Sequence, residues 1–154
     1  MGQYVRAFCT APSSPPLDAI LERLAGRGVR LVPTDTDPHE VRSAEWEEVA
    51  LADGSGRPPM LVTCGRDHRS GLNHVREELQ GFIEFLRDVP ASSERQRVLD
   101  HLRATKFIVA CQLPEDDLAG AARAFLSYFE ESCGGLVQAD GEGFYDGDHL
   151  LLPV

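Results

Sequence analysis

The chain carries one run of landmarks twice, and any fold must give both runs a place. Cys9-Thr10-Ala11-Pro12 returns as Cys111-Gln112-Leu113-Pro114, each time after an apolar run and before an amphipathic stretch. Leu31-Val32-Pro33-Thr34-Asp35 returns as Leu136-Val137-Gln138-Ala139-Asp140, each time beyond a Gly suited to stopping a helix. Ala52-Asp53-Gly54 returns as Tyr145-Asp146-Gly147, each time before a last apolar strand. Three anchors in the same order describe one structural unit used twice.

Hydrophobic periodicity fills in the unit. Val5, Ala7 and Cys9 alternate with Tyr4, Arg6 and Phe8, which predicts a strand over 4–10. Ser13-Ser14-Pro15-Pro16 reads as a serine cap with proline in the first helical turn. Leu17, Ile20, Leu21 and Leu24 then repeat at helical spacing. A strand over 29–34, a polar loop from Asp35 to Ser43 and a strand over 46–52 follow. Asp53-Gly54-Ser55-Gly56 turns the chain into a strand over 60–64. The second copy opens with a strand over 107–113, and Glu115, Asp116 and Asp117 sit where a helix N-terminus favours negative charge. Leu118, Ala122, Phe125, Leu126 and Phe129 make the buried stripe of that helix, and strands over 135–140 and 149–154 complete the copy.

Between the copies, Val75, Leu79, Phe82, Ile83 and Leu86 predict a helix over 72–89, stopped by Pro90. Ser93 with Gln96 reads as a capping box for a second helix ending near Ala104. The expected architecture is a single α+β domain over 1–154. Two β-α-β-β-β pseudo-repeats, 1–65 and 106–154, are joined by a helical pair over 66–105, with helices packed on one face of a largely antiparallel sheet. One continuous sheet and two sheets about a pseudo-twofold axis both satisfy the pattern.

Charge narrows the partners. Acidic residues number 25 against 15 basic ones, a net charge of −10. Nucleic acid and anionic lipid reward positive charge, so neither is an expected partner. A basic protein is, because long-range attraction speeds encounter. Every basic residue but Lys106 is Arg, the usage expected of a GC-rich bacterial genome, so no single Arg is evidence of chosen guanidinium chemistry. No apolar run approaches the roughly 18 residues of a membrane helix, and no signal-peptide pattern opens the chain, which places it in the cytoplasm by expectation. Cys9, Cys64, Cys111 and Cys133 form no C-x-x-C pair and read as small buried hydrophobes.

Three candidate sites stand out. The tail Asp140-Gly141-Glu142-Gly143-Phe144-Tyr145-Asp146-Gly147-Asp148 holds four carboxylates among glycines. Its spacing fails the calcium-loop pattern, with Tyr145 where Gly should stand and Leu151 where Glu should stand, so no metal is assigned. It reads instead as a hairpin whose Phe144 and Tyr145 point to opposite sides. The second candidate is Cys64-Gly65-Arg66-Asp67-His68-Arg69, with His74 beyond. Arg66, His68 and Arg69 before a helix suit an anion, and Cys64 with His68 is the best available nucleophile pair. The third is the acidic distribution: Glu45, Glu47 and Glu48 around Trp46, and Glu130-Glu131 near a helix end. Negative charge there opposes the helix dipole by about 0.3–1 kcal/mol per residue.

No phosphate loop, dinucleotide fingerprint, nucleophile elbow or zinc-protease motif is present, and no cofactor is expected. The sequence therefore points to a non-enzymatic acidic module that binds a basic protein, as immunity and inhibitor proteins do. Its expected contacts are Trp46, Asp140, Glu142, Phe144, Tyr145 and Asp146. The alternative is a small-molecule sensor for an anionic ligand, using Arg66, His68 and Arg69. Exposed sheet edges also make a homodimer an expected assembly.

Overall fold

A computed structural model describes residues 3–66, 74–114 and 118–154. The strands are β1 (Gln3–Cys9), β2 (Val32–Thr34), β3 (Glu48–Ala52), β4 (Met60–Arg66), β5 (Phe107–Leu113), β6 (Gly135–Ala139), β7 (Gly143–Asp146) and β8 (His149–Pro153). Between them lie α1 (Leu17–Gly26), α2 (Pro38–Arg42), α3 (His74–Leu86), α4 (Ser93–Ala104) and α5 (Ala119–Ser132). All eight strands join one antiparallel sheet in the order β2-β3-β4-β5-β1-β6-β7-β8. The sheet is continuous, which resolves the choice between one sheet and two.

The two halves meet at its centre. β1 and β5 pair over seven residues, from Gln3 opposite Leu113 to Cys9 opposite Phe107. Both halves run β-α-β-β-β in chain order, with α2 as an extra turn in the first. They lay their last three strands differently. The first half goes to the far edge with β2 and returns to the centre with β4, whereas the second places β6 beside β1 and moves out to β8. The matched anchors Leu31–Asp35 and Leu136–Asp140 therefore lie on an edge strand and an inner strand.

Helices cover both faces, a correction to the one-face expectation. Val5, Ala7, Cys9, Val109, Cys111 and Val137 turn to one side and pack under α1 and α5 through Ile20, Leu24, Phe125 and Phe129. Their strand neighbours Phe8, Ile108 and Leu136 turn to the other side, with Phe144 and Leu152, and meet Val75, Leu86, Val98 and Leu102 of α3 and α4. The helical connector is thus the second layer. Strands buried on both faces lose the apolar-polar alternation that marks a one-sided sheet, which is why β5 reads FIVACQL. Fully burying each large apolar side chain contributes about 1.5–3 kcal/mol, so both layers hold the sheet.

Local capping departs from expectation in instructive ways. The Asp35–Ser43 stretch expected as loop contains α2, where Asp37 caps with its carboxylate on the His39 N–H (2.9 Å) and Pro38 fills the first helical position. Ser92, one residue before the expected cap, accepts from the Arg95 N–H at 3.0 Å. Ser14 does not cap α1; its hydroxyl accepts the Trp46 indole N–H at 3.2 Å.

Candidate functional site

The end of α5 and the β7–β8 turn form the two walls of a groove of about 820 Å³. Arg123, Ser127 and Glu130, spaced i, i+4 and i+7, line one wall, because the apolar stripe of α5 is turned to the core. Glu131 stands beside them, and Tyr145, Asp146, Gly147 and Asp148 form the opposite wall. Acidic groups far apart in sequence therefore converge: the helix-end pair and the tail line one cleft. Arg123 is the one basic side chain among the lining residues. Its guanidinium lies 4.3 Å from the centre of the Tyr145 ring and donates to the Gly147 carbonyl at 2.9 Å. Arg27 and Arg97 reach Glu131 (2.5 Å) and Asp146 (2.7 Å), with all four side chains at least a third exposed. Such exposed pairs are worth about 0–1 kcal/mol and exchange readily.

Burial pushes the Glu130 carboxyl above its ordinary range; Arg123 and the Gly147 N–H pull it down, and Asp148 and Asp146 push it up again. Its ionised form is under-compensated. The Tyr145 hydroxyl donates to Glu142 at 2.6 Å, which raises its own pKa and fixes the ring against the groove.

The remaining expected contact residues are dispersed. Trp46 is fully buried, its indole N–H held by Ser14 and the Pro15 carbonyl, so it belongs to the core and not to a contact surface. It precedes β3, where strand parity no longer applies, and turns to the same side as Val49 and Leu51. Phe144 is also fully buried, against Phe8 and Phe82. Asp140 sits on the other side of the sheet from the acidic groove, bound by Arg6. Glu45, Glu47 and Glu48 are exposed near β3, and Glu40 accepts from the Glu47 N–H at 2.6 Å.

For the anion candidate, Arg66 donates to the Ala44 carbonyl at 2.9 Å; Asp67, His68 and Arg69 lie outside the described residues, as does the His74 side chain. Cys64 faces the α1–α5 core with Cys9 and Cys133, and burial pushes its thiol up to about 11. A thiol so protonated is no nucleophile at neutral pH. Among the described residues, no three His, Cys, Asp or Glu side chains gather as a metal site requires. No described helix is long and apolar enough to cross a membrane.

Arg123 and Ser127 escaped the sequence reading, although their spacing to Glu130 along one helix face was a usable signal. Comparison of the chain with protein-family models, curated proteins and solved structures returns no match.

Proposed function

We propose that this chain is a non-enzymatic binding module whose acidic groove, between α5 and the β7–β8 turn, engages a basic segment of a protein partner. Immunity and inhibitor proteins silence basic enzymes in this general way. The observation that carries the reading is the convergence of Glu130, Glu131, Asp146 and Asp148 around Tyr145. A Lys or Arg side chain entering the groove would supply the compensation that Glu130 lacks and find an aromatic ring beside it. The net charge of −10 would speed the encounter, and the groove would fix the register.

The test is affinity capture from native lysate with the wild-type chain and with the Glu130→Gln/Glu131→Gln/Asp148→Asn variant. A basic protein retained at low salt, released at high salt and absent from the variant eluate is the expected result. Equal capture by the variant, or no capture at low salt, contradicts the reading.

A further inference from the structure

A second groove, of about 370 Å³, opens on the face covered by α3 and α4. Glu78, Gly81, Phe82 and Phe85 lie at i, i+3, i+4 and i+7 on α3 and line it with Asp140, Gly141, Phe144 and Val154. Its floor is aromatic: the Phe82 and Phe144 rings meet edge to face at 6.0 Å. Phe85 and Val154 stand at its mouth, 55% and 37% exposed.

Gly81 is the informative residue. Glycine inside a helix is unfavourable relative to alanine, and the usual excuse is a close neighbour. Here a Cβ would meet nothing within 4 Å, so packing within the chain does not require the glycine. Gly81 lines the groove, and its missing side chain leaves that space unfilled.

The polar end of the groove has a defined charge. The Arg6 guanidinium pairs with Glu78 at 2.7 Å and with Asp140 at 2.8 Å, and Gln138 bridges Arg6 and Asp140 at 2.8 and 3.1 Å. One guanidinium against two carboxylates leaves one negative charge. Both carboxylates are more than a third exposed and keep lone pairs for further donors.

We propose that this groove binds a small organic cation: an amine with an aromatic or branched apolar body, its ammonium on Glu78 and Asp140 and its body on Phe82 and Phe85, with buried Phe144 backing the Phe82 ring. The volume falls in the usual range of small-molecule pockets, about 300–1,000 Å³. Among the described residues that line the groove, the exposed large apolar side chains are Phe85 and Val154, far short of the roughly 1,000 Å² a stable protein interface buries. The surplus negative charge disfavours an anion.

Titration of the ¹⁵N-labelled chain with 2-phenylethylamine, 2-phenylethanol and 3-phenylpropionate tests the site by amide shifts. The amine is expected to saturate at millimolar concentration, several-fold more tightly than the alcohol, with the acid weakest and the shifts centred on residues 78–85 and 138–144. Gly81→Leu, which fills the groove with a better helix former, abolishes binding. Phe85→Ala, at an exposed position, weakens all three ligands, and Glu78→Gln removes the preference of amine over alcohol. Absence of saturation by the amine overturns the proposal, as does equal binding of all three probes. Amine binding that survives Gly81→Leu overturns it too, by placing the amine elsewhere, for instance in the acidic groove across the sheet.

Discussion

Asp140 takes three donors on one carboxylate: the Tyr4 N–H at 3.1 Å, Arg6 at 2.8 Å and the Gln138 amide at 3.1 Å. Burial alone would raise its pKa, but the hydrogen bonds from Gln138 and Arg6, with the Arg6 charge, outweigh burial and hold it below the ordinary aspartate value. A depressed folded-state pKa means that ionised Asp140 stabilises the fold above the unfolded value, near 3.9, and that this contribution is lost as pH falls through the lower folded value. Asp140→Asn should therefore cost about 1–2 kcal/mol at neutral pH, a figure reduced for partial exposure, and less in acid. Urea unfolding across that range should show the wild type and variant converging as pH drops; a constant gap would contradict the assignment. Single residues were the least legible scale in the sequence. Trp46 and Phe144 looked like contact aromatics because aromatics near carboxylates resemble interface anchors, yet both are core. Composition cannot tell a ring that fills a core from one that waits for a partner. Burial distinguishes them, together with distant partners that no local pattern encodes: Ser14 and the Pro15 carbonyl for the Trp46 indole, Phe8 and Phe82 for the Phe144 ring.

Most elements announced themselves through their own spacing. β5 falls where its apolar run put it, and α4 ends at Ala104 as its capping signal predicted, with the cap one residue earlier at Ser92; an apolar strand and a capped helix are local facts. α2 was missed although Asp37-Pro38 is a cap followed by a first-position proline, the signal of a helix start. The β7–β8 hairpin rests on a backbone requirement that glycine alone satisfies. Gly143 has φ +135°, and a Cβ there would meet the Leu152 carbonyl oxygen well inside contact distance. Gly141 also has positive φ (+78°) but faces open space. Gly143→Ala should cost about 2–4 kcal/mol, and Gly141→Ala only about 1 kcal/mol. Equal midpoints for the two variants in urea unfolding would show that the Leu152 contact has no energetic consequence.

At the scale of the molecule, the sequence predicted mixed α and antiparallel β structure, and the eight-stranded sheet agrees. Strand order was beyond it. Two halves with the same element order thread the sheet in opposite senses, because loop lengths permit either route and only packing selects one. The acidic groove depends on that choice: β7 and β8 reach α5 only because β6 lies beside β1. The account stands on this groove as the receptor for positive charge. Titrating the ¹⁵N-labelled chain with a short Arg- and Lys-rich peptide, at low and then high salt, tests it most directly. The account predicts saturating shifts confined to residues 123–131 and 145–148, diminished by salt. Shifts centred on Glu45–Glu48, or spread evenly over every acidic residue, would contradict it.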